Sequence, residues 1–281
     1  MTANSEQTKV IGIVGGLGPF AHIQFEVNLL ESSARLVGAN MDQEFPQWVL
    51  SSIPRTPKRQ SRRLVGSESP VPALIESINR LGAVYNSSGE VISGADFAVI
   101  VCNSAHLYLS EIQPHVQLPI LNVVELVSNY ISKMHPGCRV GILATTATIE
   151  SRLYHESLIR YGLTPFSPLD FNTGGEVRQN AVMKAVFGEE NADLGFSGGV
   201  KNGNQISSRY LNELTDVAAQ LVFEKDVDIL IAACTELPIL LPGPFLEGKP
   251  LIDPMALAAD ASVSLAYNLT SSKDYCWGAI K

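Results

Sequence analysis

The chain alternates short apolar runs with longer amphipathic segments. The apolar runs are rich in Val, Ile and Leu, as is typical of strands covered on both faces, and lie at 9–15, 46–53, 95–101, 138–144, 226–233 and 249–253. Segments with the 3.6-residue periodicity of helices follow at 19–37, 70–81, 149–161, 174–187, 207–224 and 254–270. A further strand is expected in the 160s. Strands that alternate with helices form parallel sheets covered on both sides, so the pattern predicts an α/β fold.

The order of elements occurs twice. Three segments of the first half recur in the second half at offsets of 129 to 132 residues. The pairs are IGIVG (11–15) with VGILA (140–144), DFAVIVC (96–102) with DILIAAC (228–234), and PILN (119–122) with PLID (250–253). Three matches in one order at nearly one offset indicate an internal duplication.

A duplication predicts two similar parallel-sheet α/β half-domains related by a pseudo-two-fold axis, with the active site in the cleft between them. We place the first domain at residues 1–117 plus 254–281 and the second at 118–253. In open parallel sheets, ligands bind beyond the carboxyl ends of the strands. Cys102 and Cys234 each follow a repeated strand, so they are expected to confront one another across one site.

Two opposed thiols suit the inversion of a stereocentre by proton transfer. A base removes a proton from one face and an acid returns one to the other, and a thiolate and a thiol exchange these roles with direction. Cys102 and Cys234 each precede a predicted helix, whose positive end is expected to lower the pKa of the thiol. Cys138 and Cys276 are interpreted as core residues.

Composition narrows the class of protein. The net charge of −8 argues against a nucleic-acid partner, which needs a basic face. The polar start MTANSEQTK and the short apolar runs predict neither a targeting segment nor a membrane span. Four cysteines without a CxxC pair predict reduced thiols, a cytoplasmic location and no zinc or other metal site.

Three motifs carry a resemblance to a known family. GGLGP (15–19), CNSAH (102–106) and CTELP (234–238) resemble the signatures of the aspartate/glutamate racemase superfamily. The chain is most similar to the aspartate racemase branch, which works without pyridoxal phosphate. The likeness runs from Val10 to about Asp253.

The resemblance implies a cofactor-independent amino-acid racemase acting on a small, dicarboxylic amino acid, with aspartate as the expected substrate. It implies two α/β domains with the site at their interface, and commonly a homodimer. Carried onto this chain, Cys102 would act on the D-enantiomer and Cys234 on the L-enantiomer.

Further site residues follow from the same resemblance. Asn103, Ser104 (where the family usually has threonine) and Thr235 would hydrogen-bond the substrate α-carboxylate. Gly16 and Gly18 would let backbone approach the substrate closely. Helix capping is an alternative role for the three polar residues.

The substrate side chain needs a cation. Lys201 lies in VKNGN, which resembles the VKAGN segment of aspartate racemases, so it is expected to bind the side-chain carboxylate. The family also has an arginine after its second strand. Here IPRTPKR (53–59) is one residue short, so Arg55 matches across a gap and Arg59 is the alternative.

Two residues are expected to orient others. His106 lies one helical turn after Cys102, and Glu236 stands where glutamate racemases often carry histidine. Packing, capping or a structural hydrogen bond is an alternative role for each.

Three other functions stay open on the sequence alone. One is a racemase for glutamate or another amino acid, or a lyase or isomerase of the same superfamily. Another is a non-catalytic, two-lobed amino-acid sensor, for which paired thiols are surplus. The third is a dehydrogenase, because Gly16–Ala21 fits a loose dinucleotide fingerprint, although the second strand ends without the acidic residue that would bind a ribose.

Overall fold

The fold is α/β with parallel sheets, which confirms the class predicted from the pattern. The chain divides into two compact units, Met1–Leu126 with Met255–Lys281, and Val127–Pro254. Ile120, which bridges to Ala98 in the first sheet, belongs to the first of these units. The computed structural model describes residues 9–59, 68–191, 195–202, 207–241 and 243–278.

Strands and helices are interspersed along the chain. The strands are β1 (Ile11–Gly15), β2 (Trp48–Ser52), β3 (Val84–Tyr85), β4 (Val91–Ser93), β5 (Phe97–Ile100), β6 (Arg139–Leu143), β7 (Thr164–Phe166), β8 (Glu189–Asn191), β9 (Gly195–Ser197), β10 (Ile229–Ala232), β11 (Phe245–Leu246) and β12 (Lys249–Ile252). The helices are α1 (Pro19–Val37), α2 (Val71–Asn79), α3 (Leu109–Ile112), α4 (Val123–Met134), α5 (Thr146–Glu150), α6 (Leu153–Arg160), α7 (Gly175–Phe187), α8 (Ser208–Glu224), α9 (Leu237–Leu240) and α10 (Pro254–Ala266). None of the described helices is both long enough and apolar enough to span a bilayer.

The two parallel sheets share one strand order. The first unit has the order β2-β1-β5, and the bridge from Ala98 to Ile120 adds the next position. The second unit has β7-β6-β10-β12, with β11 antiparallel at the edge. Each segment of the sequence repeat therefore occupies the same place in its sheet, which supports the duplication.

The strand register is repeated as well. In the first unit Ile11 lies opposite Phe97, and in the second Val140 lies opposite Ile229. These are the same pair of positions, displaced by the offsets of the sequence repeat. A register shift of one residue would turn every side chain to the other face of the sheet, so the shared register places equivalent side chains on equivalent faces.

A carboxylate holds the start of each central strand pair. Oδ2 of Asp96 accepts a hydrogen bond from the backbone N–H of Val10 at 2.6 Å. In the second unit, Oδ2 of Asp228 accepts one from the N–H of Arg139 at 2.9 Å. The repeat thus preserves a polar contact as well as an apolar pattern.

Each unit has its own apolar core, and each core includes one of the two cysteines. Cys102 belongs to a cluster that also contains Val14, Leu74, Ile78, Ile100 and Tyr108. Cys234 belongs to one that also contains Leu143, Val182, Leu214, Leu221 and Ala232. Complete burial of a large aliphatic side chain contributes about 1.5–3 kcal/mol, so these clusters fix the strands whose ends carry the thiols.

One predicted helix is wrong, and one hairpin was not predicted. The helix expected at 149–161 is divided into α5 and α6, because Arg152 adopts a left-handed conformation with φ of 58°. The apolar period continues across the break, so the pattern could not show it. The Gly- and Asn-rich stretch after α7 contains the hairpin of β8 and β9, which the sequence pattern did not predict.

The loop after β1 needs a glycine for a steric reason. Gly16 has φ of +79°, and a Cβ atom there would lie 2.5 Å from the backbone nitrogen of Ile53. The chain that follows β2 therefore packs against Gly16. The missing side chain makes room for the protein's own backbone.

Gly16→Ala should lower the free energy of unfolding by more than about 2 kcal/mol, because it adds a backbone clash to the cost of positive φ. Gly38→Ala is the matched control: Gly38 has φ of +73°, but a Cβ atom there would meet nothing within 4 Å, so its cost should be about 1 kcal/mol. Denaturant unfolding of both variants measures the difference. Equal losses would contradict the steric role of Gly16.

Candidate active site

Cys102 lies at the carboxyl end of the first sheet. It follows β5 by two residues, is buried, and precedes a short 3₁₀ helix, Asn103–Tyr108. Its Sγ atom lies 3.3 Å from Oγ of Ser104. The first thiol therefore has a neutral hydroxyl as a neighbour, and Asn103 beside it is buried.

His106 fixes the backbone at Cys102. Nε2 of His106 accepts a hydrogen bond from the N–H of Val123 at 3.2 Å, so the ring proton is on Nδ1, which donates to the carbonyl oxygen of Cys102 at 3.0 Å. Burial lowers the pKa of His106, while its backbone hydrogen bonds oppose that shift. A neutral imidazole therefore ties the cysteine to the start of α4.

The glycine loop, GGLGP (15–19), follows β1. It lies at the same end of the sheet as Cys102, because β1 and β5 are parallel neighbours. The N–H of Gly16 donates to Nδ1 of His22 at 3.3 Å, and Gly18 is the extended N-cap of α1. Arg59 donates from Nη2 to the carbonyl oxygen of Leu17 in this loop.

The two candidate arginines differ in their surroundings. Arg55 is exposed, whereas the half-buried Arg59 lies against the glycine loop. Of the two guanidinium groups, Arg59 is the one that contacts the edge of the sheet where Cys102 lies.

Cys234 occupies the equivalent position in the second sheet, two residues after β10. Its Sγ donates to Oε2 of Glu236 at 3.1 Å, and the Thr235 hydroxyl donates to the same oxygen at 2.9 Å. The Nζ atom of Lys201 lies 2.8 Å from Oε1 of Glu236. One buried carboxylate therefore lies between the thiol and a cation, and Lys201 also lies 5.6 Å from the ring centroid of Phe187.

The expected lowering of the second thiol's pKa is wrong. Burial raises the pKa of Cys234 well above its usual value, and the negative charge of Glu236 raises it further, while Lys201 opposes that shift. The helix that follows, α9, has only four residues, and Glu236 is its N-cap. Desolvation and a neighbouring carboxylate therefore outweigh the helix dipole, and Cys234 rests as a thiol.

A third polar group at the second sheet was not predicted from the sequence. Gln179 of α7 is buried and donates from Nε2 to the carbonyl oxygen of Ala144 at 2.9 Å, beyond the end of β6. Its Oε1 atom has no hydrogen-bond partner among the described residues. A buried acceptor suits an ammonium group. The sequence repeat aligns the loop after β6, ATTAT (144–148), with GGLGP (15–19), so the repeat contained a signal for that loop. The sequence contained no signal for Gln179.

The predicted residues thus fall into two groups. Each unit's sheet edge holds its cysteine with the polar residues next in sequence, and the second also holds Lys201, from the turn Val200–Asn202. The last two residues of VKNGN lie outside the described residues. Within the described ranges, no group of three or more His, Cys, Asp or Glu side chains is placed to hold a metal ion.

Comparison with known proteins gives the family. The family model described as Asp/Glu/Hydantoin racemase matches residues 27–262, a span that includes both cysteines. The chain belongs to the Asp/Glu/hydantoin racemase family. It is therefore a racemase-type isomerase, as the motifs implied.

Members of this racemase family resemble the chain over most of its length. The broad specificity amino-acid racemase RacX of Bacillus subtilis is 29% identical over 263 residues, covering 92% of this chain and 99% of that protein. An aspartate racemase structure from Picrophilus torridus is 26% identical, with a TM-score of 0.65 over 92% of this chain and 95% of that one. A structure of an aspartate racemase homologue from Pyrococcus horikoshii shares the fold, with 21% identity and a TM-score of 0.64 over 92% and 99% of the two chains.

His106→Gln should lower stability and change its dependence on pH. The pKa of His106 is lowered in the folded state, so its contribution is fully present above the unfolded value of about 6.5 and is lost as pH falls towards the folded value. Unfolding free energies of the racemase and of the variant, measured between about pH 5 and pH 8, should show a weaker acid loss in the variant. The loss at neutral pH should be about 1–3 kcal/mol, because two buried backbone groups lose their partner.

The control for this variant is His115→Gln, which alters an exposed histidine. Because this side chain is exposed, the substitution should leave the free energy of unfolding at neutral pH unchanged. If His106→Gln retains the full acid dependence of the unsubstituted protein, the neutral bridging role is wrong.

Proposed function

We propose that this racemase inverts Cα of an amino acid without a cofactor, with Cys102 and Cys234 acting on opposite faces of one substrate, and that aspartate is that substrate. The observation that carries the proposal is the repeat. A thiol follows the equivalent strand of both sheets by the same two residues, in the same register. Repeated residues at two sheet edges suit a reaction that needs the same chemistry twice.

The proton steps balance with two thiols. One cysteine, as thiolate, takes the proton from Cα, forming an S–H bond and leaving a carbanion. The other thiol gives its proton to the opposite face of Cα and becomes a thiolate. For the enantiomers, we keep the assignment of Cys102 to D and Cys234 to L.

Hydrogen-bond donors at the sheet edges would bind the α-carboxylate and stabilise the charge that develops on it. We assign this role to Asn103, Ser104 and Thr235. Their backbone N–H groups lie just beyond the carboxyl ends of β5 and β10. The Thr235 hydroxyl donates to Glu236, so backbone groups carry more of the role there. Gly16 and Gly18 lie in the loop after β1, at the same end of the first sheet as Cys102.

The distal carboxylate of aspartate requires a cation. Lys201 lies next to the second thiol's carboxylate partner, and Arg59 lies against the glycine loop, so we propose these two in preference to the exposed Arg55. Arginine and lysine are the side chains that pair with carboxylates.

A second candidate is a racemase of broader specificity. It is favoured by the similarity to RacX over almost the whole chain. It is also favoured by the ion pair of Lys201 with Glu236, because a cation already paired with one carboxylate attracts a second one less strongly. Rates with aspartate, glutamate and alanine compared under one condition separate the two candidates.

The sensor and dehydrogenase alternatives predict different behaviour. A sensor would bind an amino acid without exchanging its α-hydrogen. A dehydrogenase would bind a nicotinamide at the glycine loop, but the backbone of Ile53 already occupies the space beside Gly16. The homodimer and the cytoplasmic location remain predictions, and the mass of the particle in solution tests the first.

Incubation with L-aspartate in D2O, without added cofactor, should give both loss of optical rotation and deuterium at Cα. Cys102→Ala and Cys234→Ala should each slow racemisation by about 10²–10⁴-fold, the usual contribution of a general acid or base. Cys138→Ala is the control and should keep full activity.

Full activity in either of the first two variants would show that the two-thiol mechanism is wrong. Exchange with glutamate or another acid, but not with aspartate, would correct the substrate alone. Tight binding without any exchange would support the sensor.

A further inference from the structure

Three groups of the second unit are linked by two consecutive polar contacts: the Lys201 ammonium, the Glu236 carboxylate and the Cys234 thiol. The two oxygens of the carboxylate are divided between them. Oε1 faces Nζ of Lys201 at 2.8 Å, and Oε2 accepts the Cys234 S–H at 3.1 Å. The side chain of Glu236 is only 3% exposed and that of Lys201 18%, so water screens their interaction weakly.

In this arrangement one carboxylate has two partners. Its ion pair with Lys201 uses one oxygen, and the Cys234 S–H donates to the other. Burial and the charge of Glu236 raise the pKa of Cys234, whereas Lys201 lowers it, so the thiol keeps its proton. The resting geometry therefore holds Cys234 as an acid, although the proposed reaction requires it to act as a base in one direction.

A second carboxylate on the same ammonium would change this balance. Two negative groups that share one cation disfavour each other's charged forms, and the one that can take a proton from a neighbour becomes the stronger base. Lysine has three N–H donors, so it can hold a second carboxylate without leaving the first.

We propose that the distal carboxylate of the substrate binds the Lys201 ammonium beside Glu236 and thereby makes Glu236 the proton acceptor that activates the Cys234 thiol. This inference rests on the proposed function, because it requires an amino-acid substrate whose α-hydrogen Cys234 removes. Glu236 acts on the reacting sulfur itself, and Lys201 is a positioning residue that acts through Glu236.

The proton balance is closed. The S–H bond of Cys234 breaks and an O–H bond forms on Oε2 of Glu236, which leaves a thiolate beside a neutral carboxylic acid. The thiolate takes the proton from Cα and becomes a thiol again, and Cys102 protonates the opposite face of the carbanion. Glu236 and Cys102 then return to their starting states by exchanging one proton each with water.

Because of this coupling, the enzyme would select amino acids with a distal carboxylate in the proton-transfer step. An amino acid without a distal carboxylate would still occupy the α-carboxylate site, but it would not activate Cys234. The preference for dicarboxylic substrates would therefore lie mainly in the turnover rate, because the binding energy of the remote group is used to prepare the reacting one.

The test supplies the distal carboxylate separately. Saturating L-alanine is incubated in D2O with increasing sodium acetate, and α-deuteration is followed at constant ionic strength, with sodium chloride replacing acetate in the control. Acetate should raise the exchange rate of alanine saturably, by about tenfold or more, the effect of one pKa unit in a proton acceptor. L-aspartate, assayed in parallel, needs no acetate.

Variants assign the effect to the proposed residues. Lys201→Met and Glu236→Gln should each abolish the response to acetate, while Lys201→Arg should retain part of it. Because Lys201→Met leaves a buried carboxylate without its cation and could unfold, Lys201→Met/Glu236→Gln, which buries a neutral pair, is assayed beside it. The double variant should also fail to respond. Glu76→Gln, at an exposed site on α2, is the matched control and should respond like the unsubstituted protein.

The outcomes separate the two proposals. If aspartate exchanges but acetate does not accelerate alanine, or accelerates it equally in the folded double variant, the coupling through Lys201 is wrong while the racemase proposal stands. If aspartate itself does not exchange, the proposed function fails and the inference that rests on it falls with it.

Discussion

The parallel pairing of β1 with β5, and of β6 with β10, is the constraint on which the rest of the candidate site depends. Parallel neighbours end at the same edge of a sheet, so the residues that follow them are brought together whatever their separation in sequence. Asp96 and Asp228 hold the starts of these pairs through backbone N–H groups, and apolar clusters hold their middles. The ends are left to carry polar chemistry.

The two edges differ in the charges around the sulfur. Cys102 has the hydroxyl of Ser104 beside it, and its carbonyl is held by a neutral histidine. Cys234 has a carboxylate beside it, and that carboxylate has a cation. A duplicated backbone has thus acquired two different electrostatic environments. The difference gives the second thiol a way to respond to the charge of the substrate.

Much of the fold could be predicted from the sequence, because buried strands have runs of apolar residues and a repeat gives matching segments at a nearly constant offset. The same reasoning placed Cys102 and Cys234 directly after the strands that bear them. The raised pKa of Cys234 could not be predicted in this way, because it depends on burial and on a carboxylate whose direction the sequence does not show.

The ion pair of Lys201 with Glu236 also could not be predicted from the sequence, since it depends on how the turn Val200–Asn202 returns towards β10. Arg55 matched the family motif better than Arg59, yet Arg59 contacts the glycine loop. Loop geometry, which sets both outcomes, leaves little trace in local sequence patterns.

Two thiols that act on the two faces of one carbon atom must both lie close to it. A crystal structure with bound aspartate measures the two distances. Cα is expected between the sulfurs of Cys102 and Cys234, with each about 3–4 Å away and on opposite faces, as a near-attack geometry requires. A substrate held against one sulfur, with the other beyond reach of Cα or on the same face, would contradict the two-thiol mechanism.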